Sequence, residues 1–110
     1  MRVVYVAGRY RAENAWLVAE NIRAAERVGY EVASLGLMPL IPHANTAHFD
    51  GTMSPEFWLE GTMELLRRCD AIVMVPGWEQ SQGAVAERAE AFRLGKQVFD
   101  SIDEMRAVSR

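Results

Sequence analysis

Four short apolar runs, each leading into a loop and then a helical pattern, predict an α/β fold. The expected architecture is a Rossmann-like (flavodoxin-like) three-layer sandwich around a four-stranded parallel sheet of order 2-1-3-4, with right-handed crossovers and helices on both faces. The runs are Val3 to Ala7, Met38 to Ile41, Ala71 to Val75 and Gln97 to Phe99. With 110 residues, 50% of them hydrophobic, the chain is long enough for one core and too short for two, so residues 1–110 are read as a single domain.

Val3 to Ala7 is rich in β-branched residues, lacks a wet side and ends at Gly8, as a strand buried on both faces should. From about Ala12 the period becomes helical, with Ala15, Val18, Ile22, Ala25, Val28, Val32 and Leu35 at steps of three or four. One long helix capped by Gly36 accounts for this stripe, although Gly29 inside it costs about 1 kcal/mol. The alternative ends the helix at Gly29 and makes Tyr30 to Ala33 a strand. Met38 to Ile41 is closed by Pro42, and a polar and aromatic loop from His43 to Gly51 follows. Loops of this length in small domains serve as lids, binding loops or oligomer contacts. Ser54-Pro55 starts the next helix, with serine as N-cap and proline where a missing N–H costs nothing, and it runs to about Arg68. After the third strand, a helix is expected from about Gln82 to Leu94 with Gly95 at its end. Ser101-Ile-Asp-Glu104 is a capping box for a short last helix.

Composition excludes several function classes. Net charge is −3 and the arginines are scattered, so no basic stripe follows a nucleic-acid backbone and no long DNA or RNA partner is expected. Cys69 is the only cysteine, which rules out an internal disulfide and a cysteine-based metal site and suits a reducing compartment. His43 and His48 lack metal-ligand spacing to other ligands, so no metal is expected, and surface polar contacts are their simplest role. The opening apolar run is too short for a signal peptide or a membrane span; a soluble cytoplasmic protein with no membrane partner is expected.

The richest stretch is Asp70 to Glu87. Strand, Pro76-Gly77 loop and helix start follow in that order, and the first N–H groups of a helix form an anion-binding corner. In a sheet of order 2-1-3-4, ligands bind at the carboxyl ends of strands one and three, where Gly8 to Asn14 and Pro76 to Gly83 lie. Asp70 and Cys69 fall at the other end of the third strand, about 16 Å away. Gly8 lets backbone approach a ligand while Arg9 and Arg11 can neutralise phosphate; equally, it is a tight turn with two solvated arginines. Ser81 and Gly83 can hold a phosphate, or Ser81 can be an ordinary N-cap. Glu87 is either a carboxylate for glycosyl chemistry or a surface glutamate beside Arg88 and Glu90. Tyr5 is a core ring whose hydroxyl needs a partner. Trp78 either stacks on a base or covers its loop.

Tyr5-Val-Ala-Gly8-Arg-Tyr10-Arg-Ala, Pro42-His43, and Cys69-Asp70 through Pro76-Gly-Trp-Glu-Gln-Ser81-Gln-Gly83-Ala-Val-Ala-Glu87 resemble the nucleoside 2-deoxyribosyltransferase-like superfamily, specifically its DUF4406 branch. The resemblance spans nearly the whole chain. It implies cleavage of the N-glycosidic bond of deoxynucleosides or their 5′-monophosphates, by hydrolysis or deoxyribosyl transfer. It implies Glu87 as catalytic nucleophile, Tyr5 as its support, and the loop from Gly8 onward (Arg9, Tyr10, Arg11, Asn14) as the base- and sugar-facing element. Ser81 and Gly83 are then the phosphate holders. No metal or organic cofactor is implied. One position departs from the family: the enzymes have an aspartate in the helix before the third strand, where this chain has Thr62. Thr62 can hydrogen-bond a sugar hydroxyl but cannot act as a general acid near neutral pH. The competing function is therefore a non-catalytic protein that senses or sequesters a nucleotide in the same pocket. The relatives complete their sites with a neighbouring subunit, so a homodimer or higher homo-oligomer is expected, with Phe49, Phe57 and Trp58 as contact candidates.

Overall fold

The computed structural model describes residues 1–108. Its elements are β1 (Val3–Ala7), α1 (Ala15–Ser34), β2 (Met38–Leu40), α2 (Pro42–Asn45), α3 (Pro55–Arg67), β3 (Ala71–Met74), a 3-10 turn (Trp78–Gln80), α4 (Gln82–Arg93), β4 (Gln97–Phe99) and α5 (Ile102–Val108). The four strands form one parallel sheet in the order β2-β1-β3-β4, as the sequence predicts. Tyr5 pairs with Leu40 on one side and Ile72 on the other, and Ala7 pairs with Met74.

Side-chain alternation along the strands splits the core into two layers. Val4, Val6, Val73 and Val75 point toward α1 and α5, where Ala25, Val28, Val32 and Met105 meet them. Tyr5, Ala7, Ile72 and Met74 point toward α3 and α4, against Leu66, Ala84 and Ala91. The central strands, β3 and all of β1 beyond Val3, are buried because both of their faces are covered, which explains their continuous apolar reading.

Helix α1 is a single helix through Gly29, so the alternative strand at Tyr30 to Ala33 does not form. Glycine lets Ile41 lie close against the helix there: a Cβ would run into Ile41 Cδ1 and Cγ1, and that side chain would have to turn away. The helix starts at Ala15 rather than near Ala12, because Asn14 Oδ1 accepts the Leu17 N–H at 2.9 Å and terminates the extended segment. Leu35 and Leu94 are the C-cap residues of α1 and α4; Gly36 and Gly95 follow them in the left-handed conformation.

The expected loop from His43 to Gly51 is shorter than its sequence suggests. Ile41 leaves the strand and N-caps α2, whose first residue is Pro42, and His43 is carried inward to become buried. The Ser54 hydroxyl accepts the Phe57 N–H at 3.2 Å and Ser101 caps α5 through Glu104 N at 3.2 Å, both as the sequence predicts. Asp70 belongs to the amino end of β3, where its carboxylate accepts the Val3 N–H at 2.7 Å and its own N–H reaches Val3 O at 2.8 Å. No described helix is long and apolar enough to cross a membrane.

Candidate active site

Helix α4 lies over the sheet with Ala84, Glu87 and Ala91 turned inward. The i, i+3, i+7 spacing of these residues places them on one stripe, and two of the three are alanines because the helix packs close to the strands. Glu87 is thereby forced into the apolar layer, only 9% exposed. A carboxylate there needs a donor. Tyr5, at the middle of β1 and fully buried, donates its hydroxyl proton to Glu87 Oε2.

Burial raises the Glu87 carboxyl from its ordinary value to about 7, against the opposing pull of the Tyr5 hydrogen bond. Tyr5 is itself pushed far upward, first by burial and then by the Glu87 charge and hydrogen bond. The phenol therefore stays protonated and keeps donating. The half-buried Thr62 of α3 stands near the Tyr5 oxygen and opposes that rise, while its hydroxyl donates to Leu59 O at 3.0 Å. Thr62, Tyr5 and Glu87, from three separate elements, thus meet in the layer between sheet and α3/α4.

The loops at the carboxyl ends of β1 and β3 rim this group. Gly8 is buried, and a Cβ on it would lie 2.7 Å from Val75 Cβ, so only glycine lets the two loops pack together. Gly77 turns the second loop in the left-handed conformation, φ 90°. The 3-10 turn then delivers Ser81, whose Oγ accepts the Ala84 N–H at 3.1 Å as N-cap of α4. That bond satisfies one of the helix's first N–H groups; those of Gln82 and Gly83 precede any intrahelical acceptor. Gly83 is exposed, and a Cβ there would touch only Ser81 Oγ, at 3.9 Å. Glu87 lies five residue steps beyond Gln82 in α4, about 7.5 Å along the axis.

Trp78 packs on the Tyr5 layer, and the Arg88 guanidinium lies 5.2 Å from its ring centre. Arg88 is fixed by two bonds to Asp100, at 2.6 and 3.1 Å. Trp78 thus covers its loop from a held position. Arg9 and Arg11 are exposed at the rim. Asn14 directs its side chain into capping α1. Tyr10 donates to Asp50 Oδ1 at 2.9 Å, which pushes its phenol up to about 12 together with burial, the largest cause.

Sequence reasoning missed His43. Both neighbours of its Nε2 are carbonyl oxygens, Gly8 O at 3.1 Å and Arg9 O at 3.0 Å, so Nε2 carries the proton and donates to both. Burial lowers its basicity, against the pull of those two carbonyls. Nδ1 is then a buried acceptor without a partner among the described residues. The Tyr10 ring tilts over the imidazole at 5.5 Å. His43 is a buried strut under the β1 loop rather than a surface histidine. The available signal was its place, immediately after a strand that neighbours β1. Phe49 and Phe57, 47% and 50% exposed, flank Trp58 at ring distances of 5.8 and 5.0 Å.

Two solved structures share this fold. A 2-deoxyribosyltransferase from the psychrotolerant bacterium Bacillus psychrosaccharolyticus aligns with TM-score 0.62 at 21% identity, over 87% of this chain and 69% of that one. A 2-deoxyribosyltransferase from Leishmania mexicana aligns with TM-score 0.61 at 23% identity, over 89% of this chain and 62% of that one. No curated protein matches the chain in sequence. Residues 2–100 match the family described as Domain of unknown function (DUF4406), and the chain belongs to that family.

Proposed function

We propose that this protein processes nucleosides or nucleotides by breaking the N-glycosidic bond of deoxynucleosides or their 5′-monophosphates, with water or a second base as acceptor. The observation that carries this reading is the buried Tyr5–Glu87 pair beside the carboxyl edge of the sheet. The ionised Glu87 carboxylate attacks the anomeric carbon, and Tyr5 orients it and holds its charge. Ser81, Gly83 and the start of α4 take a 5′-phosphate, with Arg9 and Arg11 available from the facing rim. Gly8, Tyr10, Thr62 and Trp78 bound the sugar and base. The fold shared with two 2-deoxyribosyltransferases supports this reading. The exposed Phe49 and Phe57 around Trp58 supply the contact for a second copy of the chain.

Incubation with a panel of deoxynucleosides and their monophosphates, followed by chromatography of free base, tests the reading. Base release that disappears in Glu87→Ala supports it. The second reading, a non-catalytic nucleotide-binding protein, is favoured by Thr62. Its signature is a rise in melting temperature without base release, since ligand at a hundred times its dissociation constant adds about 2.7 kcal/mol. No base release and no thermal shift with any compound overturns both readings.

A further inference from the structure

Glu87 is a solitary carboxylate. Its ionisation responds to burial and to Tyr5 and to no other charge. Within α3, the residue turned toward the Tyr5–Glu87 pair is Thr62, while Glu60 and Glu64 on either side are exposed and Glu64 is engaged by Arg67 and Arg68. Asp50 accepts from Tyr10, and Asp70 is bound to Val3 at the opposite end of the sheet. The buried proton donors are committed: Tyr5 to Glu87, and the Nε2–H of His43 to two carbonyls. Among the described residues, no second acid stands with Glu87 in the buried layer, and the carboxylates of the two rim loops, Glu13 and Glu79, are exposed.

That asymmetry selects substrates. A neutral base leaving the anomeric carbon takes the bonding electron pair and becomes an anion unless it is protonated, and a positioned general acid contributes about 10²–10⁴-fold to such a step. A heterocycle that already carries a positive charge leaves as a neutral molecule and needs no proton. We propose that the substrates of this site are deoxyribosyl compounds whose leaving group is a permanently cationic ring, of the N7-alkylpurinium or pyridinium class. The inference rests on the reading of Glu87 as nucleophile. In the first step a Glu87 oxygen bonds to C1′ as the C1′–N bond breaks, and its electron pair neutralises the ring charge. In the second, water attacks C1′, the ester C–O bond breaks, the carboxylate is restored and the water proton goes to solvent, leaving the free sugar.

The test compares base release from 7-methyl-2′-deoxyguanosine and 2′-deoxyguanosine, and from their 5′-monophosphates, after subtraction of spontaneous loss. The expected kcat/KM ratio of cationic to neutral substrate is at least about 10², the span a missing general acid leaves open. Thr62→Asp, which places a carboxyl group beside Tyr5, is expected to narrow that ratio at least tenfold by raising the neutral rate, in line with the same about 10²–10⁴-fold range. If Thr62→Asp does not fold, the ratio in the unaltered protein decides alone. Neutral substrate cleaved within about a hundredfold of the cationic one overturns this proposal and leaves the nucleophile reading standing. No release from either compound overturns both.

Discussion

The two faces of the sheet are built from different materials. The face under α1 and α5 is lined by Val4, Val6, Val73 and Val75 against alanine, valine and methionine. The face under α3 and α4 carries Ile72, Met74, Leu66 and three alanines, but also Tyr5, and Glu87 is set among them. Both faces meet the same backbone, so the contrast comes from the side chains alone. Burying a carboxyl group costs stability unless it is hydrogen-bonded, and here one donor only partly offsets that cost. The first face is apolar throughout its packed cluster; the second accepts the penalty of a buried carboxyl group.

The largest expected effect comes from removing that group. Glu87→Gln should lower base release by at least about 10³-fold, the scale on which a catalytic nucleophile is lost, as measured by chromatography. It should also alter stability with pH. In the folded chain Glu87 holds its proton up to about pH 7, whereas unfolded it releases it near 4.5, so its contribution declines as pH rises between those values and stays unfavourable above. Denaturant titrations between pH 4 and 8 should show this decline in the native chain and lose it in Glu87→Gln.

Tyr5→Phe tests the pairing rather than the carboxylate. It deletes the only hydrogen bond that draws the Glu87 value down, so the acid limb of the rate profile should move to higher pH, above about 7. An unmoved limb would mean that Tyr5 does not act through Glu87. On the opposite face, Val73→Ala removes two buried methyl groups and should cost about 2 kcal/mol in denaturant unfolding. The rate per folded molecule should stay the same; a fall in that rate would erase the division between the faces. The smallest effect is expected at the rim. Arg88 and Asp100 are about a third exposed, 34% and 39%, so Arg88→Ala should cost only about 0.2–1 kcal/mol. Trp78 fluorescence should report a loosened ring, because the guanidinium over it is gone.

The strands, their order and the helix spans were legible because alternation, apolar runs and caps are local properties of a chain. The errors are local as well. Asn14 was read as facing ligand, yet the same side-chain oxygen that suits a ligand also suits a helix cap, and neighbouring N–H groups reach it first. His43 looked like a loop residue because nothing in its immediate neighbours shows that Pro42 starts a turn of helix and carries it beneath Gly8.

By itself, the sequence determined a parallel sheet whose β1 and β3 loops converge, with a glutamate one turn into the helix that follows. Periodicities of two and 3.6 residues dictate which side chains share a face, and they do so without long-range information. Only the tertiary structure decided that Tyr5, Thr62 and Glu87, far apart in the chain, meet in one dry layer. There the Glu87 carboxyl shifts to about 7 and Thr62 stands beside the tyrosine. Desolvation depends on everything packed around a group, and no local pattern in a sequence records it.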